Sequence, residues 1–204
     1  MKVFGIGLNR TGTTTLGACL KYFGFNHISL DRISFENYKK QEFDPIFDRI
    51  EEFDSFEDWP WPLIYKEVDK FFPDSKFILT IRKTPEAWFE SLCRHADYTG
   101  PTDYRKYIYG YPMPHDRKQH HLDYYQKHIK DVTDYFKNKP EKLLTMCWEN
   151  GDGWEKLSSF LGFECPDIPL PHENKQRSKI EVIKNRLKKK LSSFIEMFNT
   201  FSIS

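Results

Sequence analysis

The chain has 204 residues, 39% hydrophobic and 17% aromatic, enough for one sizeable domain with a core rich in Phe, Tyr and Trp. Its 31 basic and 30 acidic residues nearly cancel to a formal net charge of +1, which argues against a dedicated nucleic-acid binder. Cys19, Cys93, Cys147 and Cys165 show no paired spacing, so neither a zinc site nor a disulfide scaffold is expected, and no apolar run is long enough to span a bilayer.

Taken in chain order, Val3 to Leu8 reads as a short apolar strand of the kind buried on both faces of a parallel sheet. It starts so near the N-terminus that no signal peptide is expected, and a cytoplasmic protein is the default. A helix follows from Thr13 to Phe23, with Leu16, Cys19, Leu20 and Phe23 at helical spacing and Gly24 as its stop. Phe25 to Leu30 is the next candidate strand. Residues 34–62 are acidic and aromatic with weak periodicity and read as helical pieces, and Tyr65 to Phe72 as a helix ended by Pro73. Lys76 to Ile81 is the clearest strand, and the proline at Pro85 opens a helix to Arg94.

Tyr98 to Pro114, rich in Tyr, Gly and Pro, reads as a long irregular connection. His121 to Lys137 is a helix, Lys142 to Cys147 a strand, Trp154 to Leu161 a helix stopped at Gly162, and Pro166 to Asn174 extended. Residues 176–204 are expected to form a C-terminal amphipathic helix, its periodic part running from Ile180 to Phe198. Strands alternating with helices imply an α/β class with a mainly parallel central sheet, in one domain spanning 1–204. Ligands of such sheets gather at the carboxyl ends of the strands, here the junctions 8–13, 81–86 and 147–153. Two charge runs, acidic over 42–58 and basic over 175–190, read as solvated faces. The basic run leaves docking on an acidic partner or membrane surface as a minor option.

The first junction carries the strongest chemistry. Gly7-Leu-Asn-Arg-Thr-Gly12-Thr-Thr has the form of a phosphate-binding loop, in which small residues let successive N–H groups converge on an anion at a helix N-terminus. The lysine of a Walker A loop is replaced by Thr13, which weighs against a P-loop small-molecule or nucleoside kinase. A dinucleotide fingerprint starting at Gly5 fails because Arg10 stands where its third glycine belongs.

Arg10-Thr-Gly-Thr-Thr-Thr15-Leu16 resembles the 5′-phosphosulfate loop of sulfotransferases that use 3′-phosphoadenosine 5′-phosphosulfate (PAPS). Phe77-Ile-Leu-Thr-Ile-Arg82 followed by Pro85 to Ser91 is similar to the 3′-phosphate motif of that family. Gly151-Asp-Gly-Trp154, Phe160-Leu-Gly162 and Pro169 to Asn174 resemble its C-terminal signature in a compact branch. The resemblance implies a three-layer, P-loop NTPase-like fold with helices flanking the sheet, and PAPS as co-substrate without a metal. It places Arg10, Thr11, Gly12, Thr13, Thr14 and Thr15 on the 5′-phosphosulfate and Arg82 and Ser91 on the 3′-phosphate. One residue more than usual separates Arg82 from Pro85, so Lys83 stands beside Arg82 as an alternative phosphate ligand.

The same resemblance makes Arg10 the catalytic cation facing the leaving oxygen. Where the cytosolic members of the family have a histidine before a Leu-Pro step, this chain has Asp58-Trp59-Pro60, so Asp58 is the candidate base, with His27 as the other candidate. A carboxyl near its ordinary pKa of ~3.9 is a weak base for an alcohol, so burial, or proton transfer late in the reaction, would have to help Asp58. His95, His115, His120, His121 and His172 read as surface or loop residues, and Trp59, Trp61 and the 98–111 aromatics as core or acceptor lining. The acceptor is expected to be a small molecule or glycan with a hydroxyl or amine, and neutral or cationic given the acidic run nearby. A PAPS-binding protein without catalysis is the further alternative.

Overall fold

The computed structural model describes residues 1–171. The terminal helix expected over 176–204, His172 and the end of the extended stretch lie outside the described residues.

Among the described residues five strands, β1 (Val3–Gly5), β2 (His27–Ile28), β3 (Ser55–Phe56), β4 (Lys76–Thr80) and β5 (Leu143–Met146), form one sheet in the order β2-β3-β1-β4-β5. Every pairing is parallel. The helices between and after them are α1 (Thr13–Tyr22), α2 (Arg32–Lys40), α3 (Asp44–Glu51), α4 (Tyr65–Phe71), α5 (Pro85–Thr99), α6 (Asp103–Tyr109), α7 (Lys118–Phe136) and α8 (Trp154–Leu161). The α/β class and parallel sheet expected from the strand–helix alternation are therefore present.

Alternation along the strands sorts the core onto the two faces of the sheet. Val3, Ile78 and Met146 pack with Leu16, Leu20, Leu157 and Leu161 from α1 and α8. Phe4, Phe56, Phe77 and Leu79 pack with Ile46, Ile50, Val68, Val132 and Phe136 from α3, α4 and α7. Phe4 stacks on Phe56 at 4.4 Å between ring centroids. Burying each such ring contributes on the order of 2–3 kcal/mol, so the central strands are held by side chains on both faces. Aromatic side chains supply much of this interior, as the composition implies.

Two segments differ from the sequence reading. Residues 34–62 hold the expected helical pieces, but also β3, which lies between β1 and β2. Two paired residues are too short to show a period, and β3 exists because its neighbours supply the ladder. The 98–114 connection contains α6, which starts at the cap Thr102, whose hydroxyl accepts from the Arg105 N–H, and stops at Gly110 in the left-handed region. Buried Arg105 closes the segment by donating to the carbonyls of Gly100 and Pro112 and to Thr99 Oγ1. The α5 helix also runs past Arg94 to Thr99.

Polar anchors join elements that hydrophobic packing alone leaves free to slide. Asp31 caps α2 through the Ile33 and Ser34 N–H groups and receives Arg49 Nε of α3 at 3.2 Å. Buried Asp69 of α4 accepts Tyr135 Oη at 2.9 Å, Lys139 Nζ at 2.6 Å and Lys142 Nζ. His128 of α7 reaches the Ile6 carbonyl at 2.8 Å, tying that helix to the end of β1.

Candidate active site

Because all strands run the same way, the loops that follow β1, β3, β4 and β5 emerge at one edge of the sheet. The three junctions expected to hold ligand meet there, joined by a fourth, 57–60, which follows β3. The loop after β1 is packed too closely to tolerate side chains at its glycines. A Cβ on Gly7 would lie 2.1 Å from Thr80 Oγ1, and one on Gly12 2.4 Å from Trp148 Cδ1.

Gly12 is the N-cap of α1, has φ 93°, and brings no side-chain cap to the helix. The N–H groups of the first turn, Thr13, Thr14 and Thr15, therefore meet no capping side chain, an arrangement that suits an anion. Thr11 is buried and spends its hydroxyl on the fold, with Oγ1 2.7 Å from the Leu8 carbonyl and 2.6 Å from Thr80 Oγ1. The hydroxyl of Thr13 turns toward Glu57, whereas Thr14 is exposed.

Arg10 sits in the left-handed region at φ 72°, which costs a non-glycine residue about 1–2 kcal/mol. Its neighbours hold it there. Trp88 Nε1 donates to the Asn9 carbonyl at 2.9 Å, Tyr109 Oη to Asn9 Oδ1 at 2.7 Å, and Arg82 Nε to the Arg10 carbonyl at 2.7 Å.

Arg82 follows β4 and uses every nitrogen of its fork. Besides Arg10, it reaches Ser91 Oγ through Nη2 at 3.3 Å and Glu149 Oε1 through Nη1 at 2.6 Å. Arg10 Nε reaches the same Ser91 Oγ at 3.4 Å, so two guanidinium groups converge on one hydroxyl. Among the described residues no carboxylate forms an ion pair with Arg10, and burial, then Arg82 and Arg94, push its pKa down while Asp58 pushes it up. Two cations held this close favour an anion between or beside them. Lys83, by contrast, is exposed and is held through its backbone N–H, which donates to Glu149 Oε2 at 2.8 Å. The additional residue between Arg82 and Pro85 is taken up in the turn, where Thr84 becomes the cap of α5 and accepts from the Ala87 N–H.

Asp58 also adopts the left-handed region, at φ 67°. Its Oδ1 accepts the Trp59 N–H at 3.0 Å. Burial and then the charge of Glu57 raise its carboxyl to about 7, against the opposing pull of the Trp59 N–H and Arg10. A carboxyl in that range is matched to proton transfer near neutral pH. Glu57 itself is only 3% exposed. Burial works against its charge, but the nearby His27 imidazole, the Ser29 hydroxyl that donates to Oε1 at 2.5 Å, and the Thr13 hydroxyl close by outweigh it and hold its carboxyl below the usual range. Glu57 and Asp58 are thus set into the site, whereas Asp44, Asp48, Glu51, Glu52 and Asp54 form the solvated face that the acidic run suggested.

His27 lies beneath α1, with Nδ1 2.9 Å from Ser55 Oγ, Nε2 3.9 Å from Glu57 Oε1, and its side chain 1% exposed. His121 is fully buried against Tyr109 and Phe89, not at the surface as its polar surroundings in sequence suggested. Among the described residues no group of His, Cys, Asp and Glu is arranged to hold a metal, and no helix is long and apolar enough to cross a membrane. Sequence reasoning missed Glu57, Glu149, Trp148, Asn9 and Tyr109 at this edge. Asn9 carried a signal by falling inside the first junction, Trp148 and Glu149 by falling inside the third, and Tyr109 stood only among the 98–111 aromatics.

Comparison with known proteins agrees with this geometry. A family model described as a sulfotransferase domain matches residues 2–109 and 102–179. "Ava biosynthesis cluster protein M" of Aspergillus versicolor is 26% identical over 213 residues, covering 84% of this chain and 80% of the relative. With the domain match running through the arginine loop, the β4 end and the β5 end alike, the chain belongs to the sulfotransferase domain family.

Proposed function

We propose that this protein transfers a sulfuryl group from PAPS to a hydroxyl or amine of a small-molecule or glycan acceptor and releases adenosine 3′,5′-bisphosphate. The observation that carries the reading is the convergence of Arg10 and Arg82 on Ser91 Oγ beside an uncapped helix N-terminus. The helix end offers N–H groups to one phosphate, and the Arg82–Ser91 pair offers a second seat nearby. A nucleotide phosphorylated at both ends fits two such seats better than one phosphorylated at the 5′ end alone.

PAPS supplies the sulfuryl group, and the chain supplies position and charge. The N–H groups of Thr11 to Thr15 bind the 5′-phosphate, and Arg10 meets the negative charge that grows on the oxygen left behind as its bond to sulfur breaks. Asp58 takes the acceptor proton as the new bond to sulfur forms. Its displacement toward neutral pH supports this role, and the enclosure of His27 under α1 favours Asp58 over that histidine. No step in this scheme calls for a divalent cation, because Arg10 and Arg82 already face the anion.

Equilibrium titration tests the reading. Adenosine 3′,5′-bisphosphate is expected to bind at least 100-fold more tightly than ATP or ADP, with or without magnesium. Tighter, magnesium-dependent binding of ATP would identify a kinase-type site instead. Bisphosphate binding without any PAPS turnover would identify a nucleotide-binding protein that lacks catalysis.

A further inference from the structure

The two residues with candidate catalytic roles, Arg10 and Asp58, come from different loops and both hold left-handed backbone conformations. One side chain touches both loops. Tyr109, the last residue of α6, donates its hydroxyl to Asn9 Oδ1, immediately before Arg10. Its ring packs edge-on against Trp59, immediately after Asp58, with centroids 6.2 Å apart. The ring is 1% exposed and is wedged by Trp88 at 6.0 Å and Tyr124 at 5.0 Å. Its carbonyl is held too, 2.7 Å from His120 Nε2 of α7.

We propose that Tyr109 is a positioning residue that sets Arg10 relative to Asp58 through Asn9 and Trp59. This rests on the roles given to Arg10 and Asp58 above. The physical case lies in how the loop is gripped. The Asn9 carbonyl, the Asn9 side chain and the Arg10 carbonyl are each engaged by a different element, α5, α6 and the β4 end. Three grips fix two successive peptide units, and the Arg10 conformation is unfavourable without them. Of the three, only the Tyr109 grip also bears on the loop of Asp58. Burial keeps its hydroxyl protonated, so it remains a donor across the working pH range. The nucleotide is gripped by backbone N–H groups of Thr11 to Thr15 and by Arg82 and Ser91, none of which Tyr109 touches through its hydroxyl. Losing the hydroxyl should therefore damage turnover while sparing nucleotide affinity.

The test uses four variants of the full chain, Y109F, N9A, R10A and R10A/Y109F. Turnover is read with PAPS alone as release of adenosine 3′,5′-bisphosphate, the sulfuryl group passing to water, and bisphosphate binding is measured in parallel. Y109F is expected to lower kcat by about 10- to 100-fold with bisphosphate Kd within about twofold of the wild type, since misplacing a reacting group by up to about an ångström has effects of that size. N9A removes the same hydrogen bond from the other side and should match it, which keeps the test valid if Y109F fails to fold. On the R10A background, adding Y109F should change kcat by less than about twofold, because its effect is exerted through Arg10. Unchanged kcat in both Y109F and N9A would overturn the proposal. So would an equal loss on the R10A background, or a fall in bisphosphate affinity in step with kcat, since either marks a general loosening. An impaired R10A beside an unimpaired Y109F and N9A rejects the role of Tyr109 alone. Wild-type turnover in R10A rejects the catalytic role of Arg10, and that of Tyr109 with it.

Discussion

Arg82 Nε donates to the backbone carbonyl of Arg10 at 2.7 Å, fastening the end of β4 to the loop that follows β1. In the proposed function Arg82 thus builds the anion site as well as contributing charge to it. Its planar fork serves Arg10, Ser91 and Glu149 together, and a lysine ammonium cannot reproduce that geometry. R82K should weaken adenosine 3′,5′-bisphosphate binding by about 10- to 100-fold, the equivalent of one charge-assisted hydrogen bond of roughly 1.5–3 kcal/mol. Titration calorimetry gives the answer, and an R82K affinity within twofold of the wild type would mean that Arg82 is a surface ion-pair residue.

In its proposed role as base, Asp58 sets stability against activity. Its carboxyl stands at about 7 in the folded chain, above the ordinary ~3.9 of an unfolded one. The contribution of such a group is most favourable below the unfolded value and is lost as pH rises through about 7. D58N keeps an oxygen for the Trp59 N–H and places at φ 67° a residue that tolerates the left-handed region. We expect D58N to be more stable than the wild type at pH 8 by on the order of 1–3 kcal/mol, with little difference at pH 4, while PAPS turnover falls by roughly 100- to 10,000-fold. Urea unfolding at the two pH values checks the first part, and a D58N less stable than the wild type at pH 8 would contradict the assigned environment.

Turnover should rise with pH through about 7 as Asp58 ionises and level off above it. The groups acting on Asp58 fix the direction in which variants move this midpoint. Glu57 raises it by like charge, whereas Arg10 and the Trp59 N–H lower it. E57Q should therefore move the midpoint to lower pH. In R10A, whatever activity persists should show it at higher pH. A pH–rate profile with the same midpoint in E57Q and wild type would exclude Asp58 as the titrating base.

Two glycines in the left-handed region separate strain from close approach. Gly12, at φ 93°, faces the Trp148 ring, whereas a methyl group added to Gly24, at φ 85°, would meet nothing within 4 Å. G24A should cost about 1 kcal/mol of stability and leave nucleotide binding intact. G12A carries the same strain and also forces Trp148 and the start of α1 apart, so bisphosphate affinity should drop by more than about tenfold. Equal affinities for the two variants would show that Gly12 is needed only for its backbone conformation.

Asp69 makes the opposite prediction, one of stability without function. Its carboxyl is buried, which opposes its charge, but Lys139, Lys142 and Tyr135 together hold it below the usual range. Its stabilisation is therefore present above the unfolded carboxylate value of ~3.9 and is lost as pH falls below it. D69A should lower stability at pH 7 by on the order of 3 kcal/mol, with a smaller deficit near pH 2, and leave bisphosphate affinity unchanged. Chemical denaturation at both pH values distinguishes this from a pH-independent packing defect.

Local chemistry was legible in the order of the residues. A strand running into Gly7 to Thr15, the replacement of the loop lysine by Thr13, and the Arg82–Ser91 pair are contiguous patterns, visible because strand period, helix start and loop composition are written in neighbouring residues. The parallel α/β class followed from the same alternation. Partners from distant segments were a matter for long-range packing. Asp58 stood out only through the Asp58-Trp59-Pro60 resemblance and Glu57 read as part of an acidic run, because the two ladder residues of β3 carry no period and burial depends on the neighbours. Likewise Glu149 meets Arg82 across 67 positions and Tyr109 meets Asn9 across 100. Such contacts arise because a parallel sheet gathers its strand ends at one edge, and that packing sets which side chain faces which and what proton affinity a buried carboxyl takes on.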